Sequence, residues 1–198
     1  MIKVETFHNT VILQSCTYCV YDDVTYEGYV VDAGDASPVL KFIKENGINI
    51  KGVFLTHCHY DHIYGINDFV DALPEVKIYC SEETLVGLND ENRHMAYMYQ
   101  EEDFIAPSNE HYCIINRNSR VVCFGEEIEI IETPGHDIDC LCYVIGNLIF
   151  TGDSYTPYAP VIYPWKLSNK EDALKNEQIL KDLVKQMNLD VYPGHFQS

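Results

Sequence analysis

"LTHCHYDHIYG", residues 55–65, places three histidines and one aspartate within the six positions from His57 to His62. A polar surface loop can collect two histidines by chance, so the flanking residues decide what the cluster is. It follows "KGVFLT" (51–56), an apolar, β-branched run that reads as a buried strand. The cluster therefore stands where a buried strand ends, not on a charged face. In an extended chain, side chains two apart project to the same side, so His57 and His59 can converge on one point. Asp61 and His62 open "DHIYGINDFVDAL" (61–73), which reads as a helix, and they point in other directions. The spacing predicts one ion between the alternating histidines and a second nearby at Asp61 and His62. Imidazole and carboxylate are ligands that suit zinc, iron or manganese.

Three further residues repeat one pattern. His136 in "IIETPGHD", Asp153 in "LIFTGDS" and His195 in "LDVYPGH" each follow an apolar strand and a tight turn. Each alone reads as an ordinary turn. Together they present polar ligands at strand ends, where open sheets place their sites. His8, His94 and His111 lie in polar surroundings and carry no such reading.

The 198 residues suffice for one substantial domain, with 46% hydrophobic residues and no segment of membrane-spanning length. "MIKVETFHNTVILQSC" lacks the apolar core and cleavage site of a secretion signal. The eight cysteines are therefore expected as reduced thiols in a cytosolic protein. Cys16/Cys19 and Cys140/Cys142 read as core residues in preference to redox or metal pairs. With 13 basic residues against 31 acidic ones, the formal charge of −18 argues against a broad basic patch for nucleic acid.

Strands and helices alternate. Strands are expected at 10–21, 26–34, 51–56 and 76–81, then at 113–116, 120–124, 127–132, 141–145 and 147–151. A helix at 37–47 has Ser37 as cap, Pro38 in its first turn and Gly47 as its stop. A short helix follows at 82–88, and a long one at 168–187 opens with a Ser168/Glu171 capping box. Leu180, Leu183, Val184 and Met187 would form the buried face of the long helix. Residues 89–112, polar and rich in Tyr and Met, read as an insertion that packs over another part of the molecule, the site being one candidate. No linker divides the chain, so the expectation is one α/β domain of layered sheets and helices over 1–198.

The order HxHxDH, "TPGH", "TGD", "YPGH" resembles the metallo-β-lactamase superfamily of binuclear hydrolases, from "VVDAGD" (30–35) to His195. The resemblance implies an αββα sandwich of two mixed sheets with metals at one edge. It implies that His57, His59 and His136 hold one ion, that Asp61, His62 and His195 hold a second, and that Asp153 bridges them. The implied cofactors are two divalent ions, zinc first, iron or manganese otherwise. A water shared between two cations loses its proton near neutral pH and attacks a carbonyl, with Asp61 placed to orient it. No serine or cysteine nucleophile is needed, and Cys58 alternates away from the site.

Two departures bear on the substrate. After "TPGH" the usual Thr-Pro-Gly-Ser is replaced by Asp137-Ile138-Asp139-Cys140, and after "TGD" stands "SYTPYAPVIYPW" (154–165). Tyr155, Tyr158, Tyr163 and Trp165 make that segment a candidate pocket wall or, equally, an aromatic cover for the sheet. Three residues follow His195, too few for the glutathione-binding helical domain of glyoxalase II. The nearest group is thus the single-domain, glyoxalase II-like hydrolases, with a small thioester or ester as substrate and neither nucleic acid nor membrane as partner. Lactonase, phosphodiesterase and, in another class, iron-dependent persulfide dioxygenase are the alternatives. β-Lactamases usually carry Cys or Ser where this chain has Asp153, and flavodiiron proteins carry Glu where it has His59. Oligomeric state is not legible.

Overall fold

β-Branched and aromatic residues concentrate in the runs that become strands, and their alternation divides them between two faces. The computed structural model describes residues 1–9, 12, 14–101 and 103–196; the expected strand at 10–21 falls outside these at positions 10, 11 and 13. One sheet has the spatial order β1 (Ile2–His8), β2 (Cys16–Asp22), β3 (Glu27–Val31), β4 (Asn49–Phe54), β5 (Lys77–Cys80), β6 (Tyr112–Ile114). Strands β1 to β3 run antiparallel, and β3 to β6 run parallel. Parallel neighbours need crossovers, supplied by α1 (Ala36–Asn46) and α2 (Ile66–Ala72). Helices α3 (Glu82–Leu88) and α4 (Glu91–His94) lie between β5 and β6.

After a small hairpin, β7 (Val122–Cys123) and β8 (Glu126–Glu127), comes the second sheet. Its chain order is β9 (Glu129–Glu132), β10 (Leu141–Ile145), β11 (Leu148–Gly152) and, across helix α5 (Lys170–Met187), β12 (Asp190–Pro193) parallel to β11.

Three apolar clusters define the layers. Val39, Ile43, Ile66 and Phe69 of α1 and α2 cover Val30 and Val53 of the first sheet. Tyr18, Val20, Val31 and Phe54 meet Leu141, Tyr143, Ile145 and Phe150 between the sheets. Leu180 of α5 packs on Cys142, Val144 and Ile149 behind the second sheet. The result is the expected αββα sandwich. Cys16 faces the inter-sheet core and Cys19 the helices, so strand alternation separates them, and all eight thiols are free. No helix among the described residues is long and apolar enough to cross a membrane.

The structure corrects several boundaries. Strand β1 was not expected: its half-buried and exposed positions alternate along a sheet edge, so its composition is mixed. Helix α1 is capped by Asp35, which accepts from Ser37 N, so Ser37 lies inside the first turn. Asn169, not Ser168, caps α5, accepting from the amides of Glu171 and Asp172. On α5, Leu180 is buried, whereas Met187 at the last position is 47% exposed. The helix expected from residue 61 is delayed. Tyr60–His62 form one 3₁₀ turn and α2 begins at Ile66. Here Ala33 N donates to His62 O at 2.7 Å and Gly65 N to Ala33 O at 2.8 Å, which holds this backbone against the turn after β3.

Candidate metal centre

The strand ends of both sheets meet at one edge. Asp32 follows β3, His57 and His59 follow β4, His136 follows β9, Asp153 follows β11 and His195 follows β12. Close backbone approach makes this possible. A Cβ at Gly194 would stand 2.1 Å from Asp153 Oδ1 and 2.8 Å from His62 Cε1, so only glycine lets β12 deliver His195 beside them. Gly152 (φ 47°) is similarly pressed on Thr56, which a Cβ would meet at 2.6 Å.

All seven expected ligand residues converge. His57, His59 and His136 form one group, Asp61, His62 and His195 another, and His57, His62 and Asp153 a third; within each, the donor atoms lie within 4.8 Å of one another. The spacing fits a metal polyhedron. Bonds of about 2.0–2.1 Å in a tetrahedron put neighbouring ligand atoms ~3.3 Å apart. His136 Nε2 is 3.0 Å from His59 Nδ1, and His195 Nε2 is 3.2 Å from Asp61 Oδ2. The Asp153 carboxylate reaches both groups, with Oδ2 3.3 Å from both His136 Nε2 and His195 Nε2 and Oδ1 3.4 Å from His62 Nε2.

Outer partners set the tautomers. An ionised carboxylate only accepts, so the Thr56 hydroxyl donates to Asp32 (3.0 Å), leaving its oxygen to accept from His57 Nδ1 (3.0 Å). His62 Nδ1 donates to Asp32 Oδ2 at 2.9 Å, and His136 Nδ1 donates to Ile162 O at 2.8 Å. Each arrangement turns Nε2 inward. His59 is reversed: its Nε2 faces Asp137 Oδ2 at 3.4 Å, and its Nδ1 points to His136. Buried His57 Nε2 has no hydrogen-bond partner among the described residues, as expected of an atom reserved for an ion.

The electrostatics match. Burial holds His57 and His136 below the usual imidazole range, so both are neutral at neutral pH, the form a metal would need. Burial also disfavours charge on His62 and His195, but Asp61 and Asp153 prevail, raising His62 and pushing His195 up to about 10. Against burial, the same histidines hold Asp61 and Asp153 below the carboxylate range. These acidic and basic partners are poised to exchange protons for metal charge.

Sequence reasoning passed over four supports. Asp32, at φ 59°, holds His62 directly and His57 through Thr56. Its signal was the one that marks Asp153, an aspartate directly after an apolar strand. Asp137 faces His59, and Asp139 Oδ2 accepts from Cys58 N at 2.9 Å, fastening the HxH backbone. Arg93 of α4 stands between them in charge, with Nη2 3.9 Å from Asp137 Oδ1 and Nη1 3.2 Å from Glu83. No local pattern links Arg93 to the cluster. Cys58 packs into the helix-side core, as expected.

A 260 Å³ cavity lies over the cluster, bordered by Met95, Met98 and Tyr99 of the 89–112 segment and by Trp165. Trp165 packs edge-on against His59, with ring centroids 5.6 Å apart. Tyr155 is buried against α5 and Tyr158 is 56% exposed; neither borders this cavity.

The sequence model of one family, described as the metallo-beta-lactamase superfamily, matches residues 25–195. The chain belongs to this superfamily. Solved structures agree on the superfamily fold. BLEG-1 B3 metallo-beta-lactamase matches with a TM-score of 0.83 at 18% identity, over 98% of this chain and 92% of that one. ETHE1 from Myxococcus xanthus matches with 0.70 at 18% identity, over 100% and 76%. TTHA1623 in a di-iron-bound form matches with 0.72 at 20% identity, over 94% and 89%. At these identities the likeness is one of fold, and the superfamily's chemistry for this chain rests on its own residues.

Proposed function

We propose that this chain is a binuclear metal-dependent hydrolase of small thioesters or esters, glyoxalase II-like in reaction and lacking a glutathione-binding helical domain within these residues. The observation that carries the reading is Asp153, whose two oxygens lie 3.3–3.4 Å from histidines of both donor groups. In this reading His57, His59 and His136 would hold one divalent ion, Asp61, His62 and His195 would hold another, and Asp153 would face both. Zinc suits the nitrogen-rich donor set, with iron or manganese as alternatives.

Two such ions, when bound, supply Lewis acidity for a carbonyl oxygen and an activated water. The chain supplies the rest. Asp32, Thr56, Asp137 and the Ile162 carbonyl keep four imidazoles in the metal-ready tautomer. Asp61, facing both His62 and His195, is placed to orient the attacking water. Trp165, Met95 and Tyr99 wall the cavity and hold the substrate against the cluster. Water adds across the acyl–sulfur or acyl–oxygen bond, leaving a carboxylate and a thiol or alcohol. The charge of −18 disfavours polyanionic substrates, and eight free thiols suit a cytosolic location.

The test is metal analysis of protein purified without added metal, then anaerobic assay of the zinc- or manganese-loaded protein against thioesters, esters, lactones, β-lactams and phosphodiesters. Two ions per chain with thioester or ester turnover is the expected result. One iron per chain, with oxygen uptake on a persulfide and no hydrolysis, would replace the hydrolase with a dioxygenase.

A further inference from the structure

The cavity over the cluster shares bordering residues with two further spaces, and the two differ in chemistry. Beside His59, Met95 and Trp165 lies a space of 380 Å³ bordered by Asp90, Asn92, Arg93 and Lys166. Beside Asp153 and His195 lies a smaller space of 180 Å³ bordered by Thr156, Ala159, Pro160, Val161 and Ile162. Apart from Asp153 and His195 themselves, no charged side chain among the described residues borders the smaller arm. Its wall is tied to the cluster, because Ile162 O accepts from His136 Nδ1 at 2.8 Å and Val161 beside it is buried.

We infer that the smaller arm is an acyl subsite for an uncharged hydrocarbon group of about six carbons or fewer, attached to the scissile carbonyl. The polar half of the substrate then lies in the larger arm. An apolar cavity of ~150 Å³ accommodates benzene, so a phenyl ring or a short alkyl chain matches the 180 Å³ here. A charged group entering this arm would give up part of its water and meet no opposite charge beyond the metal-site residues, with Thr156 as the one side-chain hydroxyl on its border. The larger arm, with Asn92 and Lys166 on its border, offers donors to a polar leaving group. Which substrate half enters which arm rests on the hydrolase reading above; the preference of the smaller arm for hydrocarbon does not.

Trp165, the single tryptophan, borders the central cavity and reports occupancy by its fluorescence. The metal-loaded protein is titrated with acetate, butanoate, hexanoate, octanoate and decanoate, following Trp165 fluorescence and, in parallel, binding heat. Full burial of one methylene corresponds to about a fourfold change in affinity. The dissociation constant should fall by about two- to fourfold per methylene up to hexanoate and then level off. Ala159→Phe, which fills the arm, should cut the acetate-to-hexanoate gain at least ~10-fold. Val161→Ala, which widens it, should move the plateau to longer chains and serves if the first variant does not fold.

An affinity independent of chain length, one that keeps tightening through decanoate, or a series unaltered in both variants overturns the proposal. A matching series of thioesters of one thiol separates the two readings. Turnover without length dependence sinks the acyl subsite and spares the hydrolase. A length-dependent carboxylate series with no thioester or ester turnover does the reverse.

Discussion

Asp32 Oδ2 lies 2.9 Å from His62 Nδ1, with both side chains buried, and the same carboxylate takes the Thr56 hydroxyl that faces His57. One aspartate thus orients two histidines of the cluster, His62 directly and His57 through Thr56. Asp32→Asn keeps the volume but removes the charge, and metal affinity should fall by about 10–100-fold, read by competition with a chromophoric chelator. Asp32→Ala also strips Thr56 N of its acceptor and should destabilise the fold by about 1–3 kcal/mol. Unchanged metal affinity in both variants would mean that Asp32 does not position the histidines.

Asp153→Asn separates two coupled ions from two independent ones. The group containing His57, His59 and His136 keeps three nitrogens, whereas the group beside Asp61 loses the charge that faces His62 and His195. Occupancy of the second position should drop first, hydrolysis should fall by several orders of magnitude, and residual activity should shift to higher pH. Metal counts and a pH–rate profile check this. Two ions retained with an unaltered profile would rule out a bridge.

Arg93 is 9% exposed and faces Asp137 at 3.9 Å and Glu83 at 3.2 Å. Arg93→Met removes the guanidinium beside Asp137, which keeps its contacts with His59 Nε2 and the Ile138 amide. The expected loss is about 1–3 kcal/mol of stability, measured by urea unfolding of the metal-free protein. Asp137→Asn should instead leave stability nearly intact and weaken the position served by His59, visible as a change in the visible spectrum of the cobalt-substituted protein.

Protons and metal compete at the acidic side of the cluster. His62 is raised and His195 is pushed up to about 10 in the metal-free protein, so their stabilising contribution is full below the unfolded imidazole value of about 6.5. It is lost as pH rises toward 10. Asp61 and Asp153 are lowered, so their contribution is present above about 4 and lost only in stronger acid. The metal-free protein should therefore melt at lower temperature at pH 9 than at pH 6.5. Metal binding needs both imidazoles deprotonated, so the rise in melting temperature on adding metal should grow across the same interval. Calorimetry in two buffers should detect at least two protons released per chain at pH 7, from His62 and His195, since His57 and His136 are already neutral.

Gly194→Ala should remove metal without dissolving the core. The added methyl would meet Asp153 and His62, both cluster members, while the sandwich clusters lie elsewhere. Circular dichroism should stay native-like while metal content falls; full metal content would show that the close approach can relax.

Much of this architecture is legible in the chain. Alternation and turn chemistry place most strands and the helices α1, α3 and α5, because burial of apolar faces is a local, periodic property. The candidate ligands His57, His59, His136, Asp153 and His195 are legible for the same reason, each standing where an apolar strand stops. The mixed edge strand β1 and the delayed start of α2 are not, since one depends on its neighbour and the other on hydrogen bonds to Ala33.

The supports around the ligands belong to the tertiary structure. Arg93 reaches Asp137 across 44 positions and Asp32 reaches His62 across 30, and no spacing rule operates over such distances. The aromatic segment at 154–165 divides in the same way: Tyr155 turns into the core against α5, and Trp165 turns onto His59. Sequence by itself placed five candidate ligands, because His57, His59, His136, Asp153 and His195 each follow the end of an apolar strand, and the motif order supplied Asp61 and His62 through the family resemblance. Which nitrogen of each imidazole faces inward, which carboxylate spans two donor groups, and which side chains wall the cleft were decided only when two sheets brought distant strand ends together, because those are properties of pairs that packing alone makes neighbours.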